Sequence, residues 1–217
     1  MASVYDWIRS NVGCYRDYSD EQIFELKEIV FGWTIGNIHE DIGQLTNLES
    51  LDIWSGHCSS LPTSIGNLVN LESLYIYSND LENLPDEIGN LRSLRKLDIS
   101  NNLIEQLPTT IGNLHNLEEL CMTECRLKSL PSEMGQLKNL KEIIAIDNNI
   151  TSLPQEFENF KSLREVYLAD NPLRESDKEL MRSWIVTNPN LKLMTANGVD
   201  FEEDIKSKGH TTKAVEF

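Results

Sequence analysis

Apolar residues recur along this chain in one phase that repeats every 23 positions. Leu61, Leu84, Leu107, Leu130 and Leu153 each precede a proline and share a column, and Ile38 opens an earlier copy without the proline. Downstream of each comes the string L-x-x-L-x-L-x-x-N-x-L. In the second copy it reads Leu71, Leu74, Ile76, Asn79, Leu81, and in the third Leu94, Leu97, Ile99, Asn102, Ile104. Within L-x-L the period is two, which predicts a short strand with alternate leucines facing a core. A fixed period of this length predicts a solenoid, with successive strands paired in parallel into one long sheet.

The remaining positions of the repeat have their own expected tasks. Asn79, Asn102, Asn148 and Asn171 hold a column after the strand, where an amide side chain can satisfy buried backbone groups worth about 1–3 kcal/mol each. Gly56 and Cys125 replace asparagine in the first and fourth copies. The I-G-N-L segments supply apolar residues to the convex side, and their glycines are expected to permit a tight or unusual backbone geometry. Copy six departs, with Phe157, Glu158 and Phe160 in those places.

Six copies span residues 38–175. The flanks read as caps that cover the open ends of the sheet and core. In segment 1–37, Ser19 to Gln22 resembles a capping box, and Ile23, Leu26 and Val30 are spaced to share one helical face. In segment 176–198, Ser176 to Glu179 reads as a second capping box ahead of Leu180, Met181, Trp184 and Ile185, and Leu191 and Leu193 as a last strand. Residues 199–217 form a polar tail. On this reading the chain is complete, an α/β solenoid with helical caps at both ends.

The repeat string resembles the 23-residue leucine-rich repeats of intracellular Ras-group proteins and Ras-binding scaffolds, and those of bacterial effectors. The resemblance covers residues 38–175. It implies a horseshoe with a parallel concave sheet, and a protein-binding module whose ligands are other proteins, among them small GTPases and phosphatases.

Composition narrows the partner. Against 19 Lys+Arg stand 35 Asp+Glu, a formal net charge of −16. Such a chain repels phosphate backbones and anionic lipid, so nucleic acid and membrane surfaces are not expected partners. No basic patch is visible along the sequence to offset this. There is no signal-peptide pattern and no apolar run of membrane-spanning length. Four sparse cysteines fit a reducing cytosol; delivery as an effector without a cleaved signal peptide is the alternative.

Residues between and after the core leucines are expected on the concave face. Across the copies these are Asp52, Tyr75, Asp98, Cys121, Ile144 and Tyr167, then Trp54, Tyr77, Ser100, Thr123, Ile146 and Ala169, then a column that includes Glu124, Asp147 and Asp170. Trp54, Tyr75 and Tyr77 are expected to cluster on the N-terminal half, and Ile144, Ile146 and Tyr167 on the C-terminal half. Aromatic anchors dominate interface energies, and apolar patches mark binding sites. Accompanying carboxylates, Asp52, Asp98, Glu124 and Asp147 among them, suit a protein partner with a basic rim.

Catalytic patterns are missing from the sequence: no phosphate-binding loop and no nucleophile elbow. Cys121 and Cys125 are spaced as C-x-x-x-C, yet the repeat register sends their side chains apart, so neither a disulfide nor a metal site is expected. No cofactor is expected either. The reading is a monomeric, non-enzymatic adaptor or scaffold. A regulatory subunit or inhibitor of a signalling enzyme is the first alternative, and a self-assembling structural protein the second.

Overall fold

A computed structural model describes residues 3–32, 36–188 and 191–195. Eight strands form a single sheet in which every neighbouring pair is parallel and spatial order follows chain order. They are β1 Glu28–Gly32, β2 Ser50–Trp54, β3 Ser73–Tyr75, β4 Lys96–Asp98, β5 Glu119–Cys121, β6 Glu142–Ile144, β7 Glu165–Leu168 and β8 Lys192–Thr195. Between them the convex side is built from short 3-10 helices, from Ile42–Gln44 to Gln155–Asn159.

The register is the repeat made visible. Leu51, Leu74, Leu97, Leu120, Ile143 and Val166 pair rung to rung across β2–β7, and all are buried. Isoleucines at the head of the convex segments, Ile65, Ile88 and Ile111, close the same core from the other side. Each repeat buries its face only against its neighbours, which is why no copy could stand alone.

The asparagine column behaves as its chemistry requires. Asn102 Oδ1 accepts from Leu81 N at 3.0 Å, while its Nδ2 donates to Ile76 O at 2.6 Å, Ile99 O at 2.9 Å and Ser100 O at 3.2 Å. Asn148 and Asn171 repeat the pattern toward Leu127 N and Ile150 N. Asn79 serves the copy that lacks its own asparagine, accepting from Gly56 N at 3.0 Å and Cys58 N at 3.1 Å. Cys125 makes only weak sulfur contacts, to Ile99 O at 3.3 Å and Thr123 O at 3.7 Å.

The convex glycines serve a tight geometry rather than an unusual backbone angle. None of them needs a left-handed φ. Each lies flat against the next repeat instead: a Cβ on Gly112 would sit 2.5 Å from Glu133 O, and one on Gly43 would sit 2.2 Å from Ser64 O. Close approach of two backbones is the constraint. Glu158 stands in the corresponding place of copy six, where no seventh repeat follows.

The caps depart from expectation in two places. Ile23, Leu26 and Val30 do not share a helical face. The capping box at Ser19 is present, but its helix, α2, spans only Asp20–Phe24 after α1 Val4–Asn11. The chain then enters β1, where Ile29 and Phe31 are buried and Val30 is 41% exposed. Glu-Ile-Val-Phe-Gly alternates with period two, and pairing to β2 supplies its hydrogen bonds. Trp7 of α1 packs on Phe31 with ring centroids 4.9 Å apart, covering the first rung.

At the other end α3 spans Glu175–Thr187, but its N-cap is Arg174, without a side-chain cap bond, rather than Ser176. Asp177 is buried and accepts from Leu153 N at 2.9 Å and Arg174 Nε at 2.8 Å, tying the helix to copy six. Met181 and Trp184 are buried, with Trp184 against Phe157 at 5.9 Å. The side chain of Ile185 and the expected polar tail at 199–217 lie outside the described residues. Among the described residues no helix is long and apolar enough to cross a membrane.

Candidate functional site

Alternation along each strand sends one set of side chains to the core and the other to the concave face. Because the rungs are in register, the outward set forms three columns that run the length of the sheet.

The middle column is the first of those read from the sequence. Val30, Asp52, Tyr75, Asp98, Cys121, Ile144 and Tyr167 are paired rung to rung. All except Val30 are half-buried. Asp52 is unusual among them: its Oδ1 is buried without a hydrogen-bond partner among the described residues. Burial raises its carboxyl above the ordinary range, and the carboxylates of Glu28 and Asp98 add to the effect. A raised carboxyl favours the fold only while it is protonated. Asp52 therefore withdraws stability at neutral pH and returns it as pH falls toward its own titration. Asp98 instead has a partner, accepting from Ser100 N at 2.9 Å.

The three aromatics share the face without stacking on one another. Trp54 leans back over β1, its ring occupying the space a Cβ on Gly32 would need, 2.7 Å from Cζ2. Tyr75 and Tyr77 make no ring contact among the described residues. The phenol of Tyr77 is raised by burial, then by Asp52 and Asp98 on either side, so it stands between two carboxylates. On the C-terminal half Ile144 and Ile146 are half-buried beside Tyr167, whose hydroxyl donates to Glu165 Oε2 at 2.5 Å. That bond first, and then burial, pushes the phenol up to about 12.

Glu124 and Asp147 are placed differently from the others. They lie past the ends of β5 and β6 with φ of 51° and 54°, in a left-handed turn that Ser55, Ser78, Asn101 and Asp170 repeat. Their carboxylates edge the sheet rather than covering it.

A column that sequence reasoning did not single out precedes the second core residue of each copy: Ser50, Ser73, Lys96, Glu119, Glu142, Glu165, Lys192. Counting back two from the middle column would have found it. Lys96 pairs with Glu119 at 2.9 Å and Lys192 with Glu165 at 3.0 Å. Glu142 between them has no ion pair among the described residues, and its carboxyl is raised by burial and by Glu165 and Glu119.

Three of the four cysteines are poor nucleophiles. Cys121 is pushed up to about 12, first by burial and then by Asp98, Glu142 and Glu119, and Cys125 to about 11 by burial. Burial also raises Cys58, while Cys14 is exposed. Iodoacetamide at pH 8 should add to Cys14 alone in the native chain and to all four cysteines only in denaturant, read by intact mass. A second native adduct formed as fast as the first would contradict this. Among the described residues no three His, Cys, Asp or Glu side chains converge as a metal site.

A parallel sheet of in-register rungs, an asparagine ladder at its edge and short convex 3-10 segments define a leucine-rich-repeat solenoid. A family profile described as a leucine-rich repeat region matches residues 21–103 and 86–183, and the chain belongs to that family. A leucine-rich-repeat protein of Leptospira interrogans is 31% identical, with a TM-score of 0.58, over 79% of this chain and 49% of its own. The plant peptide hormone receptor RGFR1, solved in complex with RGF2, is 26% identical, with a TM-score of 0.71, over 82% of this chain and 29% of its own. The Arabidopsis thaliana receptor kinase ectodomain GASSHO1/SCHENGEN3, solved with CASPARIAN STRIP INTEGRITY FACTOR 2, is 29% identical, with a TM-score of 0.60, over 64% of this chain and 17% of its own. The chain thus spans about half the length of the bacterial protein and under a third of either plant receptor. A search of curated proteins gives no significant match.

Proposed function

We propose that this chain is a non-enzymatic protein-binding module, an adaptor or scaffold, that takes a protein segment along its concave face. The observation that carries this reading is Asp52. A carboxylate oxygen buried without a partner costs stability, roughly 1–3 kcal/mol for an unmet polar group. A lysine or arginine from a partner would meet it, with Tyr77 and Trp54 alongside for the apolar stem. Glu142, a half-buried carboxylate without an ion pair among the described residues, offers a second acceptor two residues from Ile144. The two sites suit a partner with basic residues flanking apolar ones. Two similar receptors were solved with bound partners, and that precedent supports a polypeptide ligand here. The free thiols at Cys58, Cys121 and Cys125 favour a reducing, cytoplasmic setting and a monomer that meets its partner there.

The test is capture of a defined partner by the native chain, compared with Asp52→Asn combined with Tyr77→Ala, and separately with Ile144→Asp. Trp54 is left intact because it packs on β1. Affinity should fall by about tenfold or more, while Asp52→Asn alone leaves thermal stability at pH 7 equal or higher. Loss of stability with unchanged affinity would make Asp52 a structural residue and move the interface off this face.

A further inference from the structure

The sequence shows no basic patch, but the fold assembles one. On the flank of the solenoid, where the chain enters β6, β7 and β8, a cleft of about 510 Å³ is lined by Lys141, Lys161, Ser162, Arg164, Glu165 and Lys192. Four cations face one carboxylate, in a chain of net charge −16. The residues come from three separate segments of chain. Backbone bonds hold three of the cations on successive rungs: Arg164 N donates to Lys141 O at 2.8 Å, and Lys192 N to Arg164 O at 2.7 Å. Adjacent rungs are about 4.8 Å apart.

Two of the cations are already engaged, Lys141 by Glu118 and Lys192 by Glu165. Lys161 and Arg164 have no carboxylate partner among the described residues. Glu72, Arg95, Glu118, Lys141 and Arg164 recur every 23 residues along this flank, and their pairing leaves Arg164 over. Arg95 and Lys141 both turn to Glu118, and no acidic residue stands in that column beyond them.

We propose that this cleft binds a phosphate monoester. A dianion neutralises both uncompensated cations, whereas a carboxylate would leave one exposed. The guanidinium fork of Arg164 matches two phosphate oxygens, and Lys161 supplies a point charge beside it. Ser162 offers a hydroxyl donor. A nucleic-acid strand is a poorer fit, since its next phosphates would run over Glu118, Glu119 and Glu142. The site shares Glu165 and Lys192 with one column of the concave face, but it rests on Lys161 and Arg164 and does not depend on the Asp52 and Tyr77 reading.

The ligand chemistry has two sources, a small free monoester or a phosphorylated side chain of a protein, and the experiment separates them. The full chain is titrated by calorimetry and by amide chemical-shift mapping with inorganic phosphate, with N-acetyl-phosphoserine amide, and with the capped pentapeptide Ala-Ala-phosphoserine-Ala-Ala. The same pentapeptide without phosphate is the blank. Shifts should concentrate at residues 161–165, and affinity should fall with added salt. Lys161→Glu with Arg164→Glu should weaken binding by about tenfold or more, with the circular dichroism melt unchanged. Arg92→Glu with Lys138→Glu, the same charge change elsewhere, should leave it intact.

Tighter binding of the pentapeptide than of the capped amino acid would assign a phosphorylated protein, and equal binding a small monoester. The proposal is overturned if no phosphate compound shifts residues 161–165 at millimolar concentration. It is equally overturned if binding survives the Lys161/Arg164 reversal.

Discussion

Asn102→Ala should lower the free energy of unfolding by about 2–5 kcal/mol, read from urea denaturation followed by circular dichroism. The residue is 3% exposed and satisfies four backbone groups with one side chain. Not all four are lost equally. Ser100 O also accepts from Ser78 N, and Ile99 O also meets the Cys125 thiol. The cost therefore concentrates on Leu81 N–H and Ile76 O, each worth about 1–3 kcal/mol when left buried and unmet. A loss under about 1 kcal/mol would mean that water or a shifted turn replaces the amide. The same logic predicts a gain at the degenerate position. In the asparagine pattern residue 125 would accept from Ile104 N–H, as Asn102 does from Leu81 and Asn148 from Leu127. A thiol offers only a poor acceptor there. Cys125→Asn should raise stability by about 1 kcal/mol, and a loss instead would show that the pocket is shaped to sulfur.

Gly112→Ala should cost at least about 2 kcal/mol, at the upper end of what overpacking usually costs. The added Cβ would lie 2.5 Å from Glu133 O and 2.9 Å from Glu133 C, so it meets backbone rather than a side chain that could swing away. Relief requires the fourth repeat to separate from the fifth, which strains the sheet on the other side of the core. Gly13→Ala is the control, since nothing lies within 4 Å of its added Cβ; its change should stay within about 0.5 kcal/mol. Gly112→Asn separates the two possible reasons for a glycine. Asparagine is tolerated where glycine serves a left-handed angle. Here it should be no better than alanine, because the constraint is the distance between turns.

The repeat was legible because its physics is local and reiterated. Leu74, Leu97 and Leu120 announce the strands by spacing alone, and Asn102 announces the turn by its chemistry. The caps were harder. Ile23, Leu26 and Val30 fit a helical period, yet Ile29 and Phe31 fit a strand period just as well. The presence of β2 beside them, with a row of unpaired backbone groups, decided the matter. The second capping box failed for a similar reason: Asp177, one residue after Ser176, had a better use in holding Leu153 N–H.

The concave face divides along the same line. The columns of Asp52 and Trp54 followed from alternation, so Asp52, Tyr75, Tyr77, Ile144 and Ile146 were nameable by counting. That Trp54 turns toward β1, or that Asp52 Oδ1 is buried without a partner, depends on how side chains settle across neighbouring rungs. The basic cleft was out of reach of any reading along the chain, because Lys141, Arg164 and Lys192 are scattered among acidic residues in sequence.

What the sequence determined by itself is the architecture: a 23-residue period leaves one way to bury every leucine and satisfy every turn. What only the tertiary structure decided is the pairing of charges. Stacking the copies sets residues 23 apart side by side, so that Lys96 meets Glu119 while the side chains of Glu142 and Arg164 have no ion pair among the described residues. Packing is dictated by periodicity, which a sequence displays, whereas the electrostatic surface depends on which residues become neighbours between turns.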